Sequence, residues 1–139
     1  MYNPDLTADY LQRAASRLKA IEVLLVESSW ADVVRESQEV VEICLKALLR
    51  HVRIEVPRLH DVSPVLEDNR DRLPAAALSH LDRLSEVSRS LRRDRELAFY
   101  GSEDLTPNAF YRQEDAEKAL QAAAFVHRTV LDAVQESGP

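Results

Sequence analysis

The sequence predicts an all-α fold, an up-and-down four-helix bundle with one extra short helix, and three observations carry that reading. Only two glycines occur in 139 residues, too few for a succession of tight β-turns. Ala, Leu, Glu and Arg, all good helix formers, are abundant. Apolar residues recur at i, i+3, i+4 and i+7 along four long stretches instead of alternating. The length suits a single domain spanning 1–139, and a chain of this size buries about two-thirds of its unfolded surface without help from metal or disulfide.

The first helix is expected over residues 7–27, capped by Thr7, with Leu11, Ala14, Leu18, Ile21 and Leu25 on one face. Ser28 and Ser29 punctuate. A second helix follows over 30–52, with Ser29 as cap and a stripe of Trp30, Val34, Ser37, Val41, Leu45, Leu48 and Val52. Pro57 interrupts the pattern. Ser63 and Pro64 then open a short helix to about Arg70. Pro74 opens a long helix ending at Tyr100, with Leu81, Leu84, Ser88, Leu91, Arg95 and Ala98 in line and Gly101 suited to the left-handed position beyond its end. Residues 101–112 form a connection, long for a helical bundle. The last helix runs from about Glu114 to Glu136 on a stripe of Ala116, Leu120, Ala123, His127, Val130 and Val134.

Bulk chemistry narrows the function. Cys44 is the sole cysteine, so no internal disulfide forms. The N-terminal residues are polar, unlike a signal peptide, and no apolar run is long enough to span a membrane. A cytoplasmic protein is expected. The net charge of −6 opposes sequence-blind nucleic-acid binding but allows a local basic site. No histidine or cysteine spacing suits a metal, no glycine-rich phosphate loop occurs, and no cofactor is expected.

Three polar residues interrupt apolar stripes: Ser37, Arg95 and His127. Arg95 lies between Leu91 and Ala98 in helical phase, whereas Arg89 and Arg93 fall on the opposite side and Arg92 on the flank. One reading of Arg95 is a snorkelling cation at a helix end; the other is a guanidinium directed into a cleft, where its fork of donors holds phosphate. His127 suits a satisfied core or interface histidine, and Ser37 a small packing residue bonded back to its own helix.

Four segments in order, "SQEVVEICLKALL" (37–49), "LHDVSPVL" (59–66), "SRSLRRDRELAFYG" (88–101) and "TPNAFYRQEDAEKAL" (106–120), resemble the HEPN domain family, the higher eukaryotes and prokaryotes nucleotide-binding domains, over about residues 10–135. The resemblance implies a bundle of four or five helices that forms a homodimer. It also implies a small nucleotidyltransferase partner and a role in toxin–antitoxin or defence-type systems. Family ribonucleases carry an arginine followed, four to six residues later, by histidine. Arg95 matches the arginine, but Tyr100, Gly101 and Ser102 stand where the histidine would fall. Arg53 and His60 match the spacing only across Pro57, in the wrong loop.

Metal-free RNA cleavage needs groups that exchange protons near neutral pH, which histidine does and tyrosine, with an ordinary pKa of about 10, does not. The expectation is therefore a nucleotide- or RNA-binding accessory module using Arg95, Tyr100, Arg92, Ser37 and His127, with no catalytic residue. The alternative is a divergent metal-independent ribonuclease using Arg95 and Tyr100.

Overall fold

A computed structural model describes residues 4–56, 58, 60–100 and 106–136, and for Pro4 and residues 92–100 the backbone alone. Among the described residues there are seven α-helices and no strand: α1 (Pro4–Val26), α2 (Trp30–His51), α3 (Ser63–Asp68), α4 (Ala75–Leu78), α5 (Leu81–Tyr100), α6 (Pro107–Phe110) and α7 (Gln113–Glu136). A single 3-10 turn covers Arg70–Arg72. The four long helices α1, α2, α5 and α7 form the bundle the periodicity predicts, and α2 is its central member, packed on the other three.

Helix α2 shows why. Val33, Val34, Val40, Val41, Cys44, Leu45, Ala47, Leu48 and Leu49 are all buried, an apolar arc too broad for one neighbour. A helix apolar over that much of its circumference is covered only when several helices surround it. Helix α7 packs on α2, α1 and α4 and buries Ala116, Ala119, Ala123, Val126, Val130 and Ala133, small side chains that let two backbones come close. The expected stripe of α7 is thus rotated: Leu120, His127 and Val134 are only half-buried.

Tight turns replace the missing glycines. α1 ends in a Schellman arrangement, Ser28 N–H to Leu25 O and Ser29 N–H to Leu24 O, both 3.0 Å, with Ser28 at φ 60°. α2 ends the same way, Arg53 N–H to Arg50 O at 3.0 Å and Ile54 N–H to Leu49 O at 2.9 Å, with Arg53 at φ 62°. Both left-handed positions normally favour glycine. The first turn reverses the chain, and Arg17 on α1 then meets Glu36 on α2 at 3.5 Å.

Several local expectations are corrected. Thr7 lies inside α1, because the helix starts at Pro4. Ser29 occupies the cap position of α2 but donates its hydroxyl to Asp32 Oδ2 at 2.7 Å and caps no backbone N–H. Ser63 is the first residue of α3, and its N–H donates instead to Asp61 Oδ1 at 3.0 Å. The long helix expected from Pro74 is broken at Ser79 and His80. There α4 turns to pack on α7, with the Ala76 N–H donating to Glu136 Oε2 at 2.9 Å. The connection 101–112 contains α6, capped by Thr106, whose Oγ1 accepts from the Ala109 N–H at 3.3 Å. Gly101 lies outside the described residues.

A candidate cleft between α5 and α7

Helices α5 and α7 both lie on α2 yet scarcely touch each other. The space between them is an open cleft of about 370 Å³. Val34 of α2 forms its floor, with Ala119 and Ala122 of α7; Val87 and Leu91 of α5 form an apolar wall, and Tyr111 another. The alanines on α7 make the cleft, since they leave its upper flank without bulk. Arg83, Glu86 and Ser90 from α5 and Asp115 and Lys118 from α7 make the rim.

Rim charges differ in how they are engaged. Asp115 Oδ2 accepts the Arg112 N–H at 2.9 Å, serving the start of α7. The guanidinium carbon of Arg83 sits 3.9 Å from the centroid of the Phe125 ring, a cation–π contact that holds the side chain against α7. His80 meets the same ring edge-on, with centroids 5.3 Å apart. Neither Arg83 nor Lys118 forms an ion pair among the described residues.

The strap carrying Tyr111 is tied at a distance. Asn108 Oδ1 accepts the Ala31 N–H at 3.1 Å, and Asn108 Nδ2 donates to Ser28 O at 3.2 Å. A side chain 77 positions away thus satisfies a free N–H at the start of α2, the task that Ser29 leaves undone. Phe110 stands edge-on to Tyr111 with centroids 5.0 Å apart and is exposed, whereas Tyr111 is buried.

A second polar cluster fixes the segment between α2 and α3. His60 Nδ1 lies 2.6 Å from Glu42 Oε1; Lys46 Nζ donates to Glu42 Oε2 at 3.1 Å, and Gln38 Nε2 to Glu42 Oε1 at 3.3 Å. Burial pushes the Glu42 carboxyl upward, but the hydrogen bonds from His60 and Lys46 and the charge of Lys46 outweigh it, so its pKa lies below the ordinary value. Asp61 Oδ1 accepts from the Ser88 hydroxyl at 2.8 Å and from the Ser63 N–H at 3.0 Å. Burial again opposes ionisation, and the bonds from Ser63 and Ser88 with the charge of Arg89 hold Asp61 below its usual range. The Val62 N–H, 3.3 Å from Ser88 Oγ, completes the tie. Glu42 and Asp61 are therefore anchors of the loop on α2 and α5.

The site residues singled out in the sequence fall in three places. Arg92, Arg95 and Tyr100 belong to α5, but their side chains lie outside the described residues. Ser37 is fully buried on α2, and its Oγ has no hydrogen-bond partner among the described residues, its own helix included. His127 is half-buried with Nε2 3.2 Å from Leu11 O, which fits the satisfied interface histidine expected. Arg83 and Lys118 escaped sequence reasoning because each is an ordinary flank residue of its own helix, and Tyr111 because it lies in the connection between α6 and α7, where helical periodicity says nothing. Only the spacing Arg83–Val87–Ser90 on one helix and Lys118–Ala122–Phe125 on another hints that two flanks face one gap.

Among the described residues, no group of three or more His, Cys, Asp or Glu side chains could hold a metal, and no helix is long and apolar enough to cross a membrane. Fold and cleft together define a helical module with a solvent-open, ligand-sized trough beside its central helix. The model of one family, the HEPN domain, matches residues 7–133. The chain belongs to the HEPN domain family and is a nucleotide- or RNA-related helical module. Comparison with curated proteins and with solved structures finds no match.

Proposed function

We propose that this chain is a single-domain, homodimeric accessory module that binds nucleotide or RNA at the end of α5, through Arg92, Arg95 and Tyr100. Its partner is a small nucleotidyltransferase in a toxin–antitoxin or defence-type system. One observation carries the reading: α5 is continuous from Leu81 to Tyr100, and Leu91, one turn before Arg95, already lines the open cleft. The basic run thus continues a helix that borders a ligand-sized space, where arginine holds phosphate and an aromatic ring stacks on a base.

Calorimetric titration with nucleotides and short RNAs tests this, and Arg95→Ala is expected to weaken binding at least tenfold. Unchanged affinity for every ligand removes the assignment. Sedimentation at micromolar concentration is expected to give twice the monomer mass, and co-purification with the adjacent gene product tests the partner. Incubation with RNA in chelator is expected to leave it intact. Cleavage abolished by Arg95→Ala would replace this reading with the ribonuclease one.

A further inference from the structure

The C-terminal half of α1 carries apolar side chains on the wrong side for its own core. Leu18, Ile21 and Leu25 pack inward, whereas Ala20, Val23 and Val26 fall on the opposite side in helical phase and are exposed. Val23 and Val26 are 62% and 83% exposed, and they are two of the four exposed large apolar side chains among the described residues. Single apolar residues on a surface are ordinary, but two on adjoining positions of one helix face, beside a groove, form a patch. That groove, of about 380 Å³, runs between α1 and α2. Ala20, Ile21, Val23 and Leu24 give it an almost wholly apolar lining, and the Arg17–Glu36 pair borders it.

We infer that a second copy of this chain docks on this face, α1 against α1, antiparallel about a two-fold axis at Val23. The inference rests on the homodimer reading above and names its surface. A two-fold contact has to be self-complementary, and this face is so in shape and in charge. Knob and groove lie side by side on one helix, so pairing about Val23 sets Val26 of each copy against Ala20 of the other, at the groove. The small Ala20 side chain lets the two helices approach. The same register brings Lys19 of one copy level with Glu27 of the other, once on each side of the axis. Neither residue forms an ion pair within its own chain among the described residues. A face of one sign would repel its own copy, whereas here opposite charges meet. The end of α5 and the α5–α7 cleft take no part.

The test is sedimentation equilibrium of the full chain across the micromolar range. Wild type is compared with Val23→Glu, Val26→Glu, Lys19→Glu, the double variant Lys19→Glu/Glu27→Lys, and Phe110→Ser. All five substituted positions are exposed, so folding is expected to persist, and a melting curve checks it. Val23→Glu places two carboxylates face to face at the axis and is expected to weaken the dimer about tenfold or more. Val26→Glu is expected to do the same. Lys19→Glu weakens it severalfold, and adding Glu27→Lys restores it. Phe110→Ser, an exposed apolar position on another element, leaves it unchanged. In a second measurement, mild oxidation of Val23→Cys is expected to link two copies, because a residue at a two-fold axis meets itself. Phe110→Cys is expected not to link, and the buried Cys44 does not interfere.

A dimer that Val23→Glu and Val26→Glu leave intact overturns this surface while the homodimer reading stands. Loss of the dimer in Phe110→Ser with no effect of Val23→Glu does the same and moves the interface to α6. Weakening by Val23→Glu without linkage of Val23→Cys overturns the axis at Val23. A wild-type chain that stays monomeric throughout overturns both the surface and the homodimer.

Discussion

Asn108→Ala tests whether a distant side chain caps α2. The substitution removes an acceptor from the Ala31 N–H at 3.1 Å and a donor from Ser28 O at 3.2 Å. Losing an N-terminal cap costs about 0.5–2 kcal/mol, typically about 1. The second bond is exposed and contributes on the order of 0.5 kcal/mol. The sum is about 1.5 kcal/mol, and at about 4 °C per kcal/mol for a chain of this size the melting temperature falls by about 6 °C. Urea unfolding followed by the fluorescence of Trp30, the only tryptophan, gives the free energy. Hydrogen exchange at the Ala31 amide locates the loss.

Asn108→Asp keeps the acceptor, adds favourable charge at a helix N-terminus and is expected to lose less than half as much. Ser29→Ala is expected to cost under about 0.5 kcal/mol, because its hydroxyl meets Asp32 and no backbone donor. If Ser29→Ala proved as costly as Asn108→Ala, or if Asn108→Ala left Ala31 exchange unchanged, the remote cap would be wrong.

Ser37→Ala is expected to raise stability by about 1 kcal/mol in the same unfolding assay, since it removes a buried hydroxyl that has no partner among the described residues; a loss of stability would show that the hydroxyl is satisfied. Glu42 and Asp61 both have lowered pKa values, so their stabilising contribution is complete above the ordinary carboxylate range and is lost as pH falls through the depressed folded values. Stability measured from pH 6 down to 3 is expected to drop, and Glu42→Gln with Asp61→Asn to flatten that drop; an unaltered slope would contradict it. Burial pushes the Cys44 thiol up to about 12, so it is expected to resist thiol reagents in the native protein and react on unfolding. Labelling at the native rate of a free thiol would contradict this.

The sequence by itself determined the class of fold, the bundle and the burying face of α2, because helical periodicity is a local property. Of the stripe picked by spacing alone, Val34, Ser37, Val41, Leu45 and Leu48 are buried, and Trp30 and Val52 at its ends are half-buried. It also marked the HEPN resemblance, which the match over residues 7–133 supports. Tertiary structure decided the rest. The turn at Ser79 and His80 exists because α4 packs on α7. The face of α7 is rotated because alanine lets it approach α2 closely, a choice visible only with the partner helix present. Asn108 reaches α2 across 77 positions, and Glu42 finds His60 across 18. Periodicity reports which way a side chain points from its own axis. It is silent about what a second element places opposite, and the cleft, the remote cap and the loop anchors are all made by that second element.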